Sequence, residues 1–244
     1  LLKDFDLDVL DENSPEFVHL VVEATKLAFA DREAFYGDTN FNKVPMDILL
    51  SEEYNIERRR LISEKSSMEV RPGNIPGFGG EVTVRPKGTT PESFSKFDIG
   101  EPTVARFDEP SPNSLGDTKG DTTHFDIIDK WGNMIAGTPS GGWLQSSPII
   151  PELGFCLSNR GQMFWLDDNS PACIGPKRRP RTTLSPSLAL KDGVPYMVFG
   201  TPGGDQQDQW ALHLFLRHVH FGLNLQEAID APGFSTAHFP NSFY

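Results

Sequence analysis

Two adjacent threonines, Thr122 and Thr123, follow Asp121 and open the run "TTHFDIID". Alternating polar and apolar residues read as a strand, closed by a turn at Lys130-Trp131-Gly132-Asn133. In a strand, positions i and i+2 share a face, so Thr122, His124 and Asp126 point one way and Thr123, Phe125 and Ile127 the other. Three readings are open. The plain one is a half-exposed strand with its polar side outward. The second is a hydroxyl–imidazole–carboxylate triad, disfavoured because three parallel side chains on one strand do not converge. The third uses the backbone. A cut between Asp121 and Thr122 would free an α-amine that titrates near about 7.7–8.0, a competent base for the residue's own hydroxyl. Spacing alone does not choose among them.

Other residues carry chemistry of their own. Gly203 and Gly204, in "GTPGG", follow a strand-like run, and adjacent glycines let backbone N–H groups turn toward a ligand without a Cβ clash. A plain strand-ending turn fits them as well. Thr182 and Thr183 offer two hydroxyls in "RPRTTLSPS", or are ordinary loop residues. Lys177 and Arg178 add positive charge just before them, as either a substrate-attracting or a solvated loop. Asp205 reads as a helix N-cap. His213, His218 and His220 have no metal partner at suitable spacing, and the two cysteines, Cys156 and Cys173, form no metal pattern and read as unpaired buried thiols. No metal or cofactor is expected.

The elements that must position these residues can be read from the chain. Residues 14–36 predict a helix, with Ser14 as N-cap, Pro15 in the first turn and Glu16 beside it. Val18, Val21, Val22, Ala24, Leu27, Ala28 and Ala34 mark its apolar stripe. A second helix is expected within 45–63, starting near Ser51 or Glu52. Residues 66–120 are rich in Pro, Gly, Ser and Thr and read as a long loop, a reasonable place for processing or movement. Strands come next, over "THFDIID", "MIAGTP", "SLALKDG" and "PYMVFGTPGG", with a second hairpin turn at Lys191-Asp192-Gly193. A helix over 207–222 ends at Gly222, with Trp210, Phe215 and Phe221 as core. A short helix begins at the Asn224 cap and stops at Pro232. Helices, then antiparallel strands, then helices indicate a layered α+β fold.

The chain has 244 residues, 37% of them hydrophobic, and a net charge of −12 with a pI near 4.9. That is enough for a core, and the acidity argues against nucleic acid as a partner. No run approaches the length of a membrane span, and the first residues do not read as a signal peptide. Both ends are abrupt, as in a fragment of a longer protein.

"GDTTHFDIIDKWGN", "GPKRRPRTTLSPSLALKDG", "GTPGG" and "FGLNLQEAIDAPGF", in this order, resemble the γ-glutamyltransferase (glutathione hydrolase) family of N-terminal-nucleophile hydrolases, as does the early "NSPEFVHLVVEATKLAFADREAFYGD". The resemblance covers nearly the whole chain and implies a four-layer αββα sandwich. It implies a precursor that cleaves itself between Asp121 and Thr122, making 1–121 the C-terminal part of a large subunit and 122–244 a small subunit. Thr122 becomes the nucleophile toward γ-glutamyl amides such as glutathione, and the acyl group passes to water or to an amino acid. Gly203 and Gly204 form the oxyanion hole, Ser140 stands for the threonine that hydrogen-bonds the nucleophile, and Thr182 and Thr183 stand for the serine pair on the substrate α-carboxylate. Asn159 and Arg160 are assigned to substrate binding.

The sequence also departs from that pattern. Gly142 replaces an asparagine contact. "SNRGQMFWLDD" replaces the acidic stretch that holds the substrate amine, leaving Asp167, Asp168 or neither for that role. Arg160 in place of a neutral residue favours an extra carboxylate on the ligand. The pattern resembles a divergent bacterial subgroup, so an acylase using the same nucleophile and a catalytically silent binding relative are the alternatives. The arginine that grips the substrate in the family would precede Leu1, and the family's last strands would come after Tyr244. Relatives are often exported, but compartment and oligomeric state stay open.

Overall fold

The computed structural model describes residues 1–80, 82, 122–141, 148–158 and 160–237. Asp121, Gly142, Asn159 and most of the expected long loop lie outside them.

Helix α1 spans Pro15–Phe35. Ser14 Oγ accepts the Phe17 N–H at 3.2 Å, and Pro15 occupies the first turn, where no N–H is needed. Of the expected stripe, Val21, Ala24, Leu27 and Ala34 are buried, Val18 and Val22 are half-buried and Ala28 is exposed, and the helix buries much else. Phe17, Leu20, Phe29, Ala30 and Phe35 are buried, and so are the charged Glu23, Lys26, Asp31 and Glu33. Each of these charges is paired. Glu23 lies between Lys26 and Arg71, the latter at 2.9 Å. Asp31 accepts from Arg58 at 3.0 Å and from the Gly73 N–H at 2.7 Å. Desolvation would forbid these charges without such partners.

The expected second helix is two: α2, Met46–Leu49, and α3, Glu52–Arg59. Ser51 divides them, its hydroxyl accepting the Tyr54 N–H at 3.3 Å as the cap of α3.

Three antiparallel hairpins come next among the described residues. Strands β1 (Phe125–Ile128) and β2 (Met134–Gly137) pair with Ile127 opposite Ile135 and Phe125 opposite Gly137. Asp129 builds their turn: Oδ1 accepts the N–H groups of Trp131 and Asn133 at 2.8 and 2.9 Å, and Gly132 takes φ +84°. A two-residue pair, β3 (Ile149–Ile150) with β4 (Phe155–Cys156), was not expected. Strands β5 (Ser187–Lys191) and β6 (Val194–Phe199) join through Asp192 and Gly193, at φ +53° and +76°, the left-handed pair of a tight hairpin turn.

Helix α4, Gln207–Val219, lies between two partners. Its Ala211, Leu214 and Phe215 cover Met197 and Phe199 of β6, and its Leu216 joins Phe17, Leu20 and Val21 of α1. Helix α5, Leu225–Asp230, opens with a capping box in which Asn224 and Glu227 satisfy each other's N–H groups at 3.0 and 2.9 Å. The hairpins β1–β2 and β5–β6 touch, and His124 lies against Gly200 just past the end of β6. The result is a mixed helix-and-sheet fold.

Candidate active site

The β1–β2 pairing extends past the strand ends, through the Thr123 N–H on the Pro139 carbonyl at 3.3 Å. This brings Thr122 opposite Ser140, and their hydroxyl oxygens lie 2.6 Å apart. Two residues on, His124 bonds Thr138 Oγ1 through Nδ1 at 2.8 Å and Asp126 through Nε2 at 2.9 Å. Both ring nitrogens are therefore engaged, and the imidazole is not the base of a Thr122–His124–Asp126 triad.

The strand faces the opposite way from the plain reading. Thr122, His124 and Thr138 are on the inner side, and His124 lies against Gly200, where an added Cβ would meet its ring at 2.3 Å. The apolar side is outside, with Phe125 47% and Ile127 54% exposed.

Ser140 is followed by Gly141, at φ +84°, and the Arg160 side chain lies across it: a Cβ there would meet Nε at 2.6 Å. Arg160 is buried and starts a short 3-10 turn to Met163. Burial and the neighbouring Arg181 cation both lower its pKa, and Asp205 opposes them. Arg181 precedes Thr182 and Thr183. Thr182 is exposed and its hydroxyl accepts the Leu184 N–H at 3.1 Å. Thr183 is 3% exposed, and its Oγ1 has no hydrogen-bond partner among the described residues.

Gly203 and Gly204 are buried, at φ +136° and +57°, conformations that favour glycine. Asp205 is next in the chain. It does not cap α4, whose N-cap is Gln206. Its carboxylate, 1% exposed, takes Arg32 Nη1 on Oδ1 at 2.9 Å and Arg181 on both oxygens at 3.0 and 3.2 Å. Burial pushes this carboxyl up, and Arg32 and Arg181 more than offset it, so its pKa lies below the ordinary value. Arg32 is a residue of α1 whose importance the sequence did not reveal. A charge in the last turn of an amphipathic helix is ordinarily solvated, and no local motif marks this one.

The remaining candidates lie elsewhere. Arg178 donates to the Cys173 carbonyl and sulfur, at 3.4 and 2.7 Å, and stacks over Phe41, so it is a structural residue; Lys177 is exposed. Asp167 accepts the Asn169 N–H at 2.9 Å in a turn, and Asp168 is exposed. Both cysteines are free and buried. Among the described residues no cluster of His, Cys, Asp and Glu is arranged to hold a metal. Among them, too, no helix is long and apolar enough to cross a membrane.

The chain is similar to several known proenzymes. The chain is 29% identical over 233 residues to the glutathione hydrolase proenzyme of Bacillus subtilis subsp. natto, covering 95% of this chain and 36% of that protein. It is 50% identical to the solved structure of LmbA2991HD, with a TM-score of 0.70, covering 98% of this chain and 39% of that one. The cephalosporin acylase of Bacillus halodurans superposes with a TM-score of 0.66 at 26% identity, over 95% of this chain and 34% of the other. This chain thus spans less than two fifths of the length of each. The profile of the gamma-glutamyltranspeptidase family matches residues 1–244 throughout, and the chain belongs to that family.

Proposed function

We propose that this chain carries the catalytic centre of a self-processing threonine hydrolase or transferase acting on γ-glutamyl amides such as glutathione. The carrying observation is the 2.6 Å pair of Thr122 and Ser140 at the head of β1, in a chain of this family. Cleavage between Asp121 and Thr122 gives Thr122 an α-amine. That amine accepts the hydroxyl proton while Oγ1 attacks the amide carbonyl. The N–H groups of Gly203 and Gly204 receive the oxyanion, a contribution of about 3 kcal/mol. The C–N bond then breaks, the amine departs with the proton, and an ester remains on Thr122. Water or an amino acid attacks that ester, the α-amine again taking the proton; the bond from the acyl carbon to Oγ1 then breaks, the proton returns to Oγ1, and the acyl product leaves. Ser140 orients the nucleophile. The buried, unpartnered hydroxyl of Thr183 supports a role on the substrate α-carboxylate, together with Thr182. Asn159 and Arg160 complete the binding side, with Arg160 favouring an additional carboxylate.

In this reading residues 1–121 end a large subunit and residues 122–244 begin a small one, and the two associate. The β1–β2 and β5–β6 hairpins form part of the two central layers of an αββα sandwich, and α4 part of an outer one. The contact between the hairpins, with α4 on β6, supports it.

Intact mass of the purified protein beside Thr122→Ala tests the proposal. Two fragments meeting at Asp121–Thr122, an uncut variant, and labelling of Thr122 by a γ-glutamyl-directed electrophile are expected. One uncut, folded species in both would overturn it. The cephalosporin acylase likeness favours one second reading, the same nucleophile on a different acyl group, and turnover of a non-glutamyl amide in preference to γ-glutamyl amides would select it.

A further inference from the structure

The two glycines proposed as oxyanion donors have no side chains with which to hold themselves. Their turn is closed by two local backbone bonds, from the Gln206 N–H to the Gly203 carbonyl at 3.0 Å and from the Gln207 N–H to the Gly204 carbonyl, and the Trp210 ring lies against Gly203. A backbone at φ +136° and +57° is soft, because glycine crosses these regions at little cost. The first side chain able to anchor it is that of Asp205, directly bonded to Gly204. Asp205 is held from two directions: by Arg32 of α1, and by the forked guanidinium of Arg181, which immediately precedes Thr182 and Thr183. Such two-pronged contacts fix orientation as well as distance. Arg32 is itself oriented by Glu33, whose Oε1 accepts Nε and Nη2 at 3.0 and 2.8 Å.

We infer that Asp205 is a positioning residue for the acylation step. By gripping Arg32 and Arg181 together, it sets the Gly203–Gly204 N–H groups in place for the carbonyl oxygen that becomes anionic when Thr122 attacks. This inference rests on the proposed function and adds to it the device that holds the oxyanion donors. A second consequence concerns charge. Arg160 and Arg181 are close enough for the Arg181 cation to lower the proton affinity of Arg160, and Asp205 is the carboxylate that offsets it. Loss of its charge therefore changes both geometry and field, and the test must separate the two.

Arg181→Lys keeps the charge and removes the fork. Asp205→Asn keeps the shape and removes the charge. Both variants and the wild type are to be prepared as the full protein, checked for cooperative melting, and assayed on a chromogenic γ-glutamyl anilide. The expected result is a drop in kcat of about tenfold or more for Arg181→Lys, larger for Asp205→Asn, with KM within about threefold of wild type, as for loss of an interaction made mainly in the transition state. Wild-type kcat in a folded Arg181→Lys enzyme would overturn the inference, and so would a rise in KM with kcat unchanged. Should Asp205→Asn fail to fold, Arg181→Lys decides alone. A wild type that neither cuts itself nor turns over the anilide would instead sink the proposed function.

Discussion

Helix α1 and the β1–β2 hairpin treat polar residues in opposite ways. The helix is buried on almost every side and carries charges inward, each closed off by a partner: Glu23 by Lys26 and Arg71, Asp31 by Arg58, Arg32 by Glu33 and Asp205. The hairpin turns Thr122, His124 and Thr138 inward, but there the bonds run through hydroxyls, Thr122 to Ser140 and Thr138 to His124, with the exposed Asp126 on the other nitrogen of the His124 ring. Its apolar side faces out. Buried charges with complete partners fix one arrangement, and losing a partner is costly. Neutral hydroxyls in a row can exchange donors and acceptors cheaply, which suits a reacting group. The difference separates the part of the molecule that holds shape from the part proposed to do chemistry.

Mutations can break this contrast. The largest effect on stability is expected at Glu23→Ala, which leaves Lys26 and Arg71 facing each other inside the protein. A loss of about 3–5 kcal/mol is expected, read from denaturant unfolding. His213 comes next. It is 3% exposed, its ring tilted against that of Phe234 with centroids 3.9 Å apart, and burial first and Arg217 second lower its pKa to about 4. Its neutral form is the folded one. Its contribution is therefore fully present above the ordinary histidine value and is lost as pH falls from about 6.5 toward 4, by up to about 3 kcal/mol. His213→Gln should flatten that part of a stability–pH curve. At the hairpin the expected effect is on rate. Ser140→Ala should lower kcat about tenfold through one lost neutral hydrogen bond, with a change of about 1 kcal/mol or less in stability. Equal damage to folding would erase the contrast. The smallest effect is expected at Ile127→Thr, within about 0.5 kcal/mol for an exposed side chain. A clearly larger cost would show that something covers this face beyond the residues described.

How much of this was legible in the sequence depended on how local the cause was. The caps Ser14, Ser51 and Asn224 and the breaks at Gly132 and Asp192-Gly193 are local causes, and they fall where the sequence indicated; α4 ends at Val219, short of the expected Gly222. The facing of Thr122 toward Ser140 came from family resemblance. The side of β1 that turns inward could not be taken from its alternation, because a period of two shows that the faces differ and not which one is covered. Asp205 looked like a cap because local chemistry favours that use. Two arginines from earlier segments, Arg32 and Arg181, claim it instead. The buried charges of α1 were hidden for the same reason, since their partners Arg58, Arg71 and Gly73 come from later segments. The β3–β4 pair is too short to leave a period.

Contacts that cross the proposed cut decide the fate of its two products. Asp38 of the first half accepts the Arg179 backbone N–H at 2.7 Å and its guanidinium at 2.6 Å, Asn42 donates to the Pro171 carbonyl at 2.8 Å, and Trp165 donates to Glu33 at 3.3 Å. Phe17 adds edge-on ring contacts with Phe221 and Phe234. Severing the chain converts these from intramolecular to intermolecular contacts, with the loss of an effective concentration typically in the millimolar range for a flexible tether. With a desolvated Asp205 and a fully packed Phe17 at the seam, separation requires opening the core itself. The two products should therefore leave each other only on the timescale of unfolding, and dilution alone should not part them.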